Sequence, residues 1–207
     1  RALDYWGVEM QKSGGLTSAA AHFERALKLN PDNPVAQVNQ ECNMNLRAGR
    51  KSSVQVSKML EEEFGKYRNW DQIMGENGPF DEPSFCYEQG RVLAGNNLYR
   101  QAAAQFDRVK TLAPENLGAR IWLSQLYVVS QMPGEALKLV DQIRAQPSLL
   151  EAARTNRTEL LFVEASAHLA QNDLRGAETA VQATVRQYPG DEGLLATATQ
   201  VYMKYGS

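Results

Sequence analysis

The sequence predicts an all-α fold built from antiparallel helix pairs, and three observations predict it. Alanine is abundant and β-branched runs are scarce, which favours helices over strands. Three stretches of equal length share one design: residues 3–31, 86–114 and 161–189, ending at Pro31, Pro114 and Pro189. Each is broken in its middle by a polar triplet: Ser13-Gly14-Gly15, Gly95-Asn96-Asn97 or Gln171-Asn172-Asp173. Glycine and asparagine tolerate the positive φ of a tight turn, and proline ends a helix because it lacks the N–H and clashes with the preceding turn. Each stretch therefore reads as helix, turn, helix, stop. A two-helix hairpin cannot bury its apolar face alone, so successive hairpins must stack into a continuous core.

In chain order, the first unit covers about 1–34, with Leu3, Trp6, Gly7 and Met10 on its first helix and Ala19, Phe23 and Ala26 on its second. Small residues such as Gly7 and Ala19 let the helices approach, and Trp6 and Phe23 are expected to fill the gaps. Residues 35–64 form a degenerate unit. Val35, Val38, Cys42 and Leu46 keep helical spacing, Ala48-Gly49-Arg50 reads as its turn, and Val54, Val56, Met59 and Leu60 suit a second helix. Glu41 and Lys58 interrupt its apolar face, and no proline closes it. Residues 65–82 are an insertion dense in aromatics, with Tyr67, Trp70 and Phe80 near Gly75, Gly78 and Pro79, and Phe85 just beyond. Two readings of it stand side by side: a plug over the weak second unit, or a binding element that folds over a groove.

The unit at 83–116 carries Cys86, Gly90 and Leu93, then Ala102, Phe106 and Val109. The unit at 117–147 carries Leu123, Ser124 and Tyr127, then Ala136, Val140 and Ile143, and closes at Pro147. A short slip follows at 148–156, where Asn156 is placed to cap the next helix with Glu159 three residues on. The unit at 158–190 carries Leu161, Ala165, His168, Ala177 and Val181, and residues 192–205 form a terminal helix with Leu195, Ala198 and Tyr202. The whole of 1–207 is expected to be one repeat domain. The chain begins at Arg1 without a methionine and stops just past its last helix, so it reads as an excerpt of a longer array.

This pattern resembles the tetratricopeptide repeat, a helix–turn–helix unit of roughly 34 residues. The resemblance covers most of the chain and rests on several full units. It implies a right-handed superhelical solenoid whose concave face is lined by the first helix of each pair, and whose partner is a protein or peptide. The groove positions expected to contact a peptide are Tyr5, Val8 and Lys12 in the first unit, Tyr87 and Arg91 in the third, Ile121, Trp122, Gln125 and Val129 in the fourth, and Phe162, Val163 and Ser166 in the fifth. Gln200 and Lys204 extend them on the last helix. Trp122 is the expected anchor for an apolar peptide or helix face. One branch of the family grips a terminal carboxylate with cations on successive first helices. Here the corresponding positions carry Asp4, Val8, Gln40, Ser84 and Glu88, which supply no cation, so that mode is not expected. Two other roles stay open: an accessory repeat domain of a larger, membrane-bound enzyme or secretion component, as occurs in bacterial chains, and a module for assembling copies of itself.

Nothing in the sequence points to catalysis. It contains no phosphate-cradling glycine loop, no H-E-x-x-H and no G-x-S-x-G. Twenty-two basic residues nearly balance 24 acidic ones, for a net charge of −2, which argues against a nucleic-acid partner. No apolar run reaches bilayer length. His22 and His168 lie in different units; His168 reads as a packed ring and His22 as a surface or partly packed one, and Cys42 and Cys86 read as buried thiols. The run Glu61-Glu62-Glu63 reads as a solvated helix face. No cofactor or metal is expected, and the sequence names no compartment.

Overall fold

The computed structural model describes residues 1–55 and 58–205. Val56 and the side chains of Lys58, Met59, Leu60, Trp70 and Lys204 lie outside the described residues. Among those described, every regular element is an α-helix: α1 (Ala2–Lys12), α2 (Leu16–Leu29), α3 (Pro34–Arg47), α4 (Lys58–Phe64), α5 (Trp70–Asn77), α6 (Pro83–Gly95), α7 (Tyr99–Leu112), α8 (Leu117–Val129), α9 (Pro133–Ala145), α10 (Pro147–Ala153), α11 (Arg157–Ala170), α12 (Leu174–Gln187) and α13 (Glu192–Tyr205). The chain divides into two compact units. Unit 1 is 1–88 with 111–113, and unit 2 is 89–110 with 114–207.

The turns lie where the glycine and asparagine signals placed them. One residue per helix pair takes a left-handed conformation: Gly14, Gly49, Asn97, Gln131 and Asn172, with φ of 84°, 64°, 61°, 61° and 59°. Gln131 carries the same geometry without the chemistry that suits it. Asn33 and Asn116 cap the starts of α3 and α8, their side chains accepting from Ala36 N and Ala119 N at 2.9 Å. Asn156 departs from expectation. It occupies the first position before α11, but its amide donates backwards to Ala152 O and to Thr155 Oγ1, and it makes no cap hydrogen bond. Pro147 follows the end of α9 by two residues, as Pro31 follows α2, and it also opens α10 at its first turn.

Within each unit the helix pairs close on small residues. Phe23 and Phe106 are fully buried. A Cβ at Gly7 would overlap the Phe23 ring, and one at Gly90 would stand 2.9 Å from the Phe106 ring. In unit 1, Val8 packs with Ala19 and Phe23. Trp6, expected inside, is half exposed at 53% and stands edge-on to Tyr5. In unit 2, α10 contributes Leu149 and Ala153 to a cluster with Ile121, Val140, Ile143, Leu160 and Val163. The α11–α12 hairpin forms a further cluster with Leu194, Ala198 and Val201 of α13. Arg144 of α9 makes a two-point ion pair with the buried carboxylate of Glu164 on α11, both contacts at 2.5 Å.

Two substitutions test this packing. Gly7→Ala forces the Phe23 ring aside and is expected to lower stability by roughly 1–3 kcal/mol in denaturant unfolding. Gln131→Gly relieves the left-handed turn and is expected to raise stability by roughly 0.5–1 kcal/mol in the same measurement.

Candidate functional site

The first-helix face of unit 1 is not an open groove. Asp4 and Gln11 of α1, and Asn39, Cys42 and Asn43 of α3, are all buried. What covers them is the last part of the insertion, the strap of residues 78–82. Asn39 holds the strap main chain at two points: its amide donates to Pro79 O at 2.9 Å, and its oxygen accepts from Asp81 N at 2.8 Å. Gln11 donates to Asp81 O at 3.2 Å and to Asp81 Oδ2 at 2.9 Å. Asn43 orients Gln11 by donating to its side-chain oxygen at 2.9 Å, and also donates to Leu16 O at 3.0 Å. The Cys42 thiol donates to Asp81 O at 3.3 Å.

Aromatic side chains seal the strap. Ile73 of α5 and Phe80 are buried with Val35 and Val38 of α3, and Phe64, Tyr67, Met74 and Phe85 pack around them. The Phe80 and Phe85 rings stack 4.3 Å apart and are nearly parallel. Glu82 fastens the far end. It accepts from Val54 N at 3.1 Å, Ser84 N at 2.8 Å and Phe85 N at 3.0 Å. Of the two readings of the insertion, the packed cover describes its buried side, and the strap also runs across the face where a ligand was expected.

Charge inside this face is unbalanced. Asp4 is fully buried, accepts from Asn39 at 3.1 Å through Oδ1, and leaves Oδ2 without a hydrogen-bond partner. Burial is the main reason its carboxyl is pushed up to about 7. The Asn39 hydrogen bond opposes that rise, and nearby Asp81 adds to it. Burial likewise raises Glu82 above the usual carboxylate range, against the pull of its backbone donors.

Beside the strap, unit 1 holds an open apolar pocket of about 450 Å³. Ala2, Tyr5 and Trp6 of α1 form one wall, and Met74, Gly78 and Pro79 the other, with Arg1 at the edge. Tyr5 and Trp6 are 50% and 53% exposed, and their rings meet edge-on at 5.9 Å.

The expected contact residues divide sharply. Val8, Ile121, Val163 and Ser166 are buried and present nothing to a ligand, because Phe23, α10 and neighbouring helices cover them. Trp122 is half-buried and stacks on Phe106 at 5.6 Å with the rings nearly parallel, so it serves the core of unit 2. Gln125 and Tyr87 are half-buried. Lys12 is exposed and paired with Glu9 at 3.1 Å, and Arg91 is exposed. Val129 and Phe162 stand out from unit 2 at 53% and 39% exposure. Tyr5 alone among these residues lines the open pocket, and Trp6, Met74 and Pro79 were not expected there. The His168 ring meets Asp173 at 2.9 Å, and Asp173 caps α12 by accepting from Gly176 N. That backbone donor, followed by the His168 contact, holds the Asp173 carboxyl below its usual range. Cys42 and Cys86 are buried and unbridged. Among the described residues no cluster of His, Cys, Asp or Glu could hold a metal ion, and no helix is long and apolar enough to cross a membrane.

These features define a helical-repeat protein with a filled face and a neighbouring pocket. Residues 87–149 match the family described as Tetratricopeptide repeat. Those residues carry the tetratricopeptide-repeat match, and the chain as a whole has an all-α helical-repeat fold. A tetratricopeptide repeat protein from Parabacteroides merdae shares its fold at a TM-score of 0.53 and 16% identity, over 99% of this chain and 73% of that one. Pseudomonas aeruginosa pilF (15% identity, 96% of both chains) and PilW, a type IV pilus biogenesis factor (17% identity, 94% of this chain and 96% of that one), overlay at a TM-score of only 0.31. Overlays that loose carry no argument here. No curated protein matches the sequence. Repeats of this family generally mediate contacts between proteins and typically act as non-enzymatic scaffolds.

The buried carboxylate makes stability depend on pH. Between about pH 4 and 7 the folded chain keeps a proton on Asp4 that the unfolded chain has already released. Stability therefore falls as pH rises through that window, by up to about 4 kcal/mol. Glu82 acts in the same direction. The melting temperature of the native chain is expected to drop between pH 5 and pH 8, and Asp4→Asn is expected to flatten that drop.

Proposed function

We propose that this chain is a protein-interaction module and that it receives an apolar side chain of a partner protein in the Tyr5–Trp6 pocket. The observation that carries the reading is the exposure of two adjacent aromatics on a rigid helix, facing Met74 and Pro79 across an open cavity. Burying such rings is costly to forgo and favourable to complete, and tryptophan and tyrosine dominate the energetic centres of protein interfaces. Because α1 is braced by α2 and α3, the pocket is presented with little ordering cost on binding.

The sequence suggested Trp122 as the anchor. Its stacking on Phe106 supports a structural role, and the Tyr5–Trp6 corner takes its place in this reading. Phe162 and Val129 are exposed apolar side chains of unit 2.

A photo-reactive benzoylphenylalanine placed at position 6 tests the pocket, with the same group at Glu24 on the exposed side of α2 as control. Cross-links to one partner are expected from position 6 and not from position 24. Equal labelling at the two positions, or none at position 6, would remove the proposal. Trp6→Ala is expected to weaken capture of that partner at least tenfold with little change in melting temperature, whereas Trp122→Ala is expected to lower the melting temperature of the chain.

A further inference from the structure

The strap is bound the way a foreign peptide is bound. Its main chain is held by polar side chains of α1 and α3. Asn39 takes one acceptor and one donor two residues apart, Pro79 O and Asp81 N. Gln11 and the Cys42 thiol both reach Asp81 O. Two-point capture of alternating backbone groups is how a protein face recognises an extended segment, while side-chain pockets supply selectivity. Here the pocket is apolar and holds Phe80 among Val35, Val38 and Ile73. Asp81 adds a second point of selectivity through its contact with Gln11 at 2.9 Å.

The match is incomplete. Asp4 Oδ2 and Asn43 Oδ1 are buried on this face with no hydrogen-bond partner. The strap also passes Asp4 at Gly78, with φ of 118°, where a Cβ would lie 2.5 Å from Asp4 Oδ2. Each unmatched buried atom is costly, so the seated strap is held less firmly than a fully matched segment would be.

We propose that residues 78–82 are a tethered peptide ligand, and that the face formed by α1 and α3 binds in trans an extended segment of the same Gly-Pro-aromatic-Asp chemistry when the strap lifts. The strap then competes with that segment and sets a threshold for its capture. Binding of this kind follows the population of the open form: a site available only a small fraction of the time has its affinity lowered by that fraction. The proposal stands on the filled face and does not depend on the open Tyr5–Trp6 pocket.

The test uses a fluorescent synthetic peptide with the sequence of residues 76–83 and the full chain, read by anisotropy. Phe80→Ala removes the apolar anchor from the tethered copy and leaves Asn39 and Gln11 in place. The peptide is expected to bind Phe80→Ala at least tenfold more tightly than the native chain, and adding Asn39→Ala is expected to undo that gain. Equal affinity for the native and Phe80→Ala chains, or a gain that survives Asn39→Ala, overturns the proposal. Should Phe80→Ala fail to fold, hydrogen exchange on the native chain decides. The Asp81 amide is expected to exchange at least tenfold faster than amides in the middle of α3. Exchange of both at one common rate would make the strap a fixed part of the core and overturn the proposal. Neither measurement reads the position-6 cross-link, so the two readings succeed or fail separately.

Discussion

The apolar face of α3 needs a cover, and the architecture of unit 1 follows from how it gets one. Val35 and Val38 are fully buried, yet the helix that follows in the degenerate repeat, α4, is only seven residues long. The missing cover comes from Ile73 on α5 and Phe80 on the strap. Once Phe80 is seated there, residues 78–82 must cross the first-helix face, and their backbone groups must be matched or left costly. Asn39, Gln11 and the Cys42 thiol match them, with Asn43 orienting Gln11. The buried Asp4, the fastening role of Glu82 and the pocket beside Pro79 all follow from the path that the strap takes.

The same solution recurs in unit 2 on a smaller scale. The slip after the fourth repeat folds into α10, whose Leu149 and Ala153 meet Ile121 and Val163. Both departures from the repeat period thus become covers over positions that the period alone would leave open. A polar, extended strap is used in one case and a short apolar helix in the other. This difference explains why buried amides and carboxylates gather around the cover of unit 1.

Much of the fold was legible because repeat signals are local. The turns at Gly14, Gly49, Asn97 and Asn172, and the close approaches at Gly7 and Gly90, follow from residue type and spacing. The candidate site was largely not legible. Asn39 and Pro79 are 40 residues apart, and Gln11 and Asp81 are 70 apart. No local period relates them, and a buried Asn or Gln reads as surface polarity until its distant partner is known. Trp6 was misjudged for the opposite reason. Its position suits a core aromatic, but the insertion and α1 leave it on the rim of a cavity instead. Asn156 shows that a cap sequence is a competition. Its amide finds the preceding turn's carbonyl at Ala152 before it can serve the next helix.

The two cysteines sit on either side of the strap. Cys42 reaches Asp81 O from α3, and Cys86 lies against Phe80 O from the start of α6 at 3.8 Å. Each is almost wholly hidden, and each contacts a main-chain carbonyl of the strap. Two thiols far apart in sequence thus converge on adjacent carbonyls of one short segment, and a reagent that labels them would report on that segment from two sides.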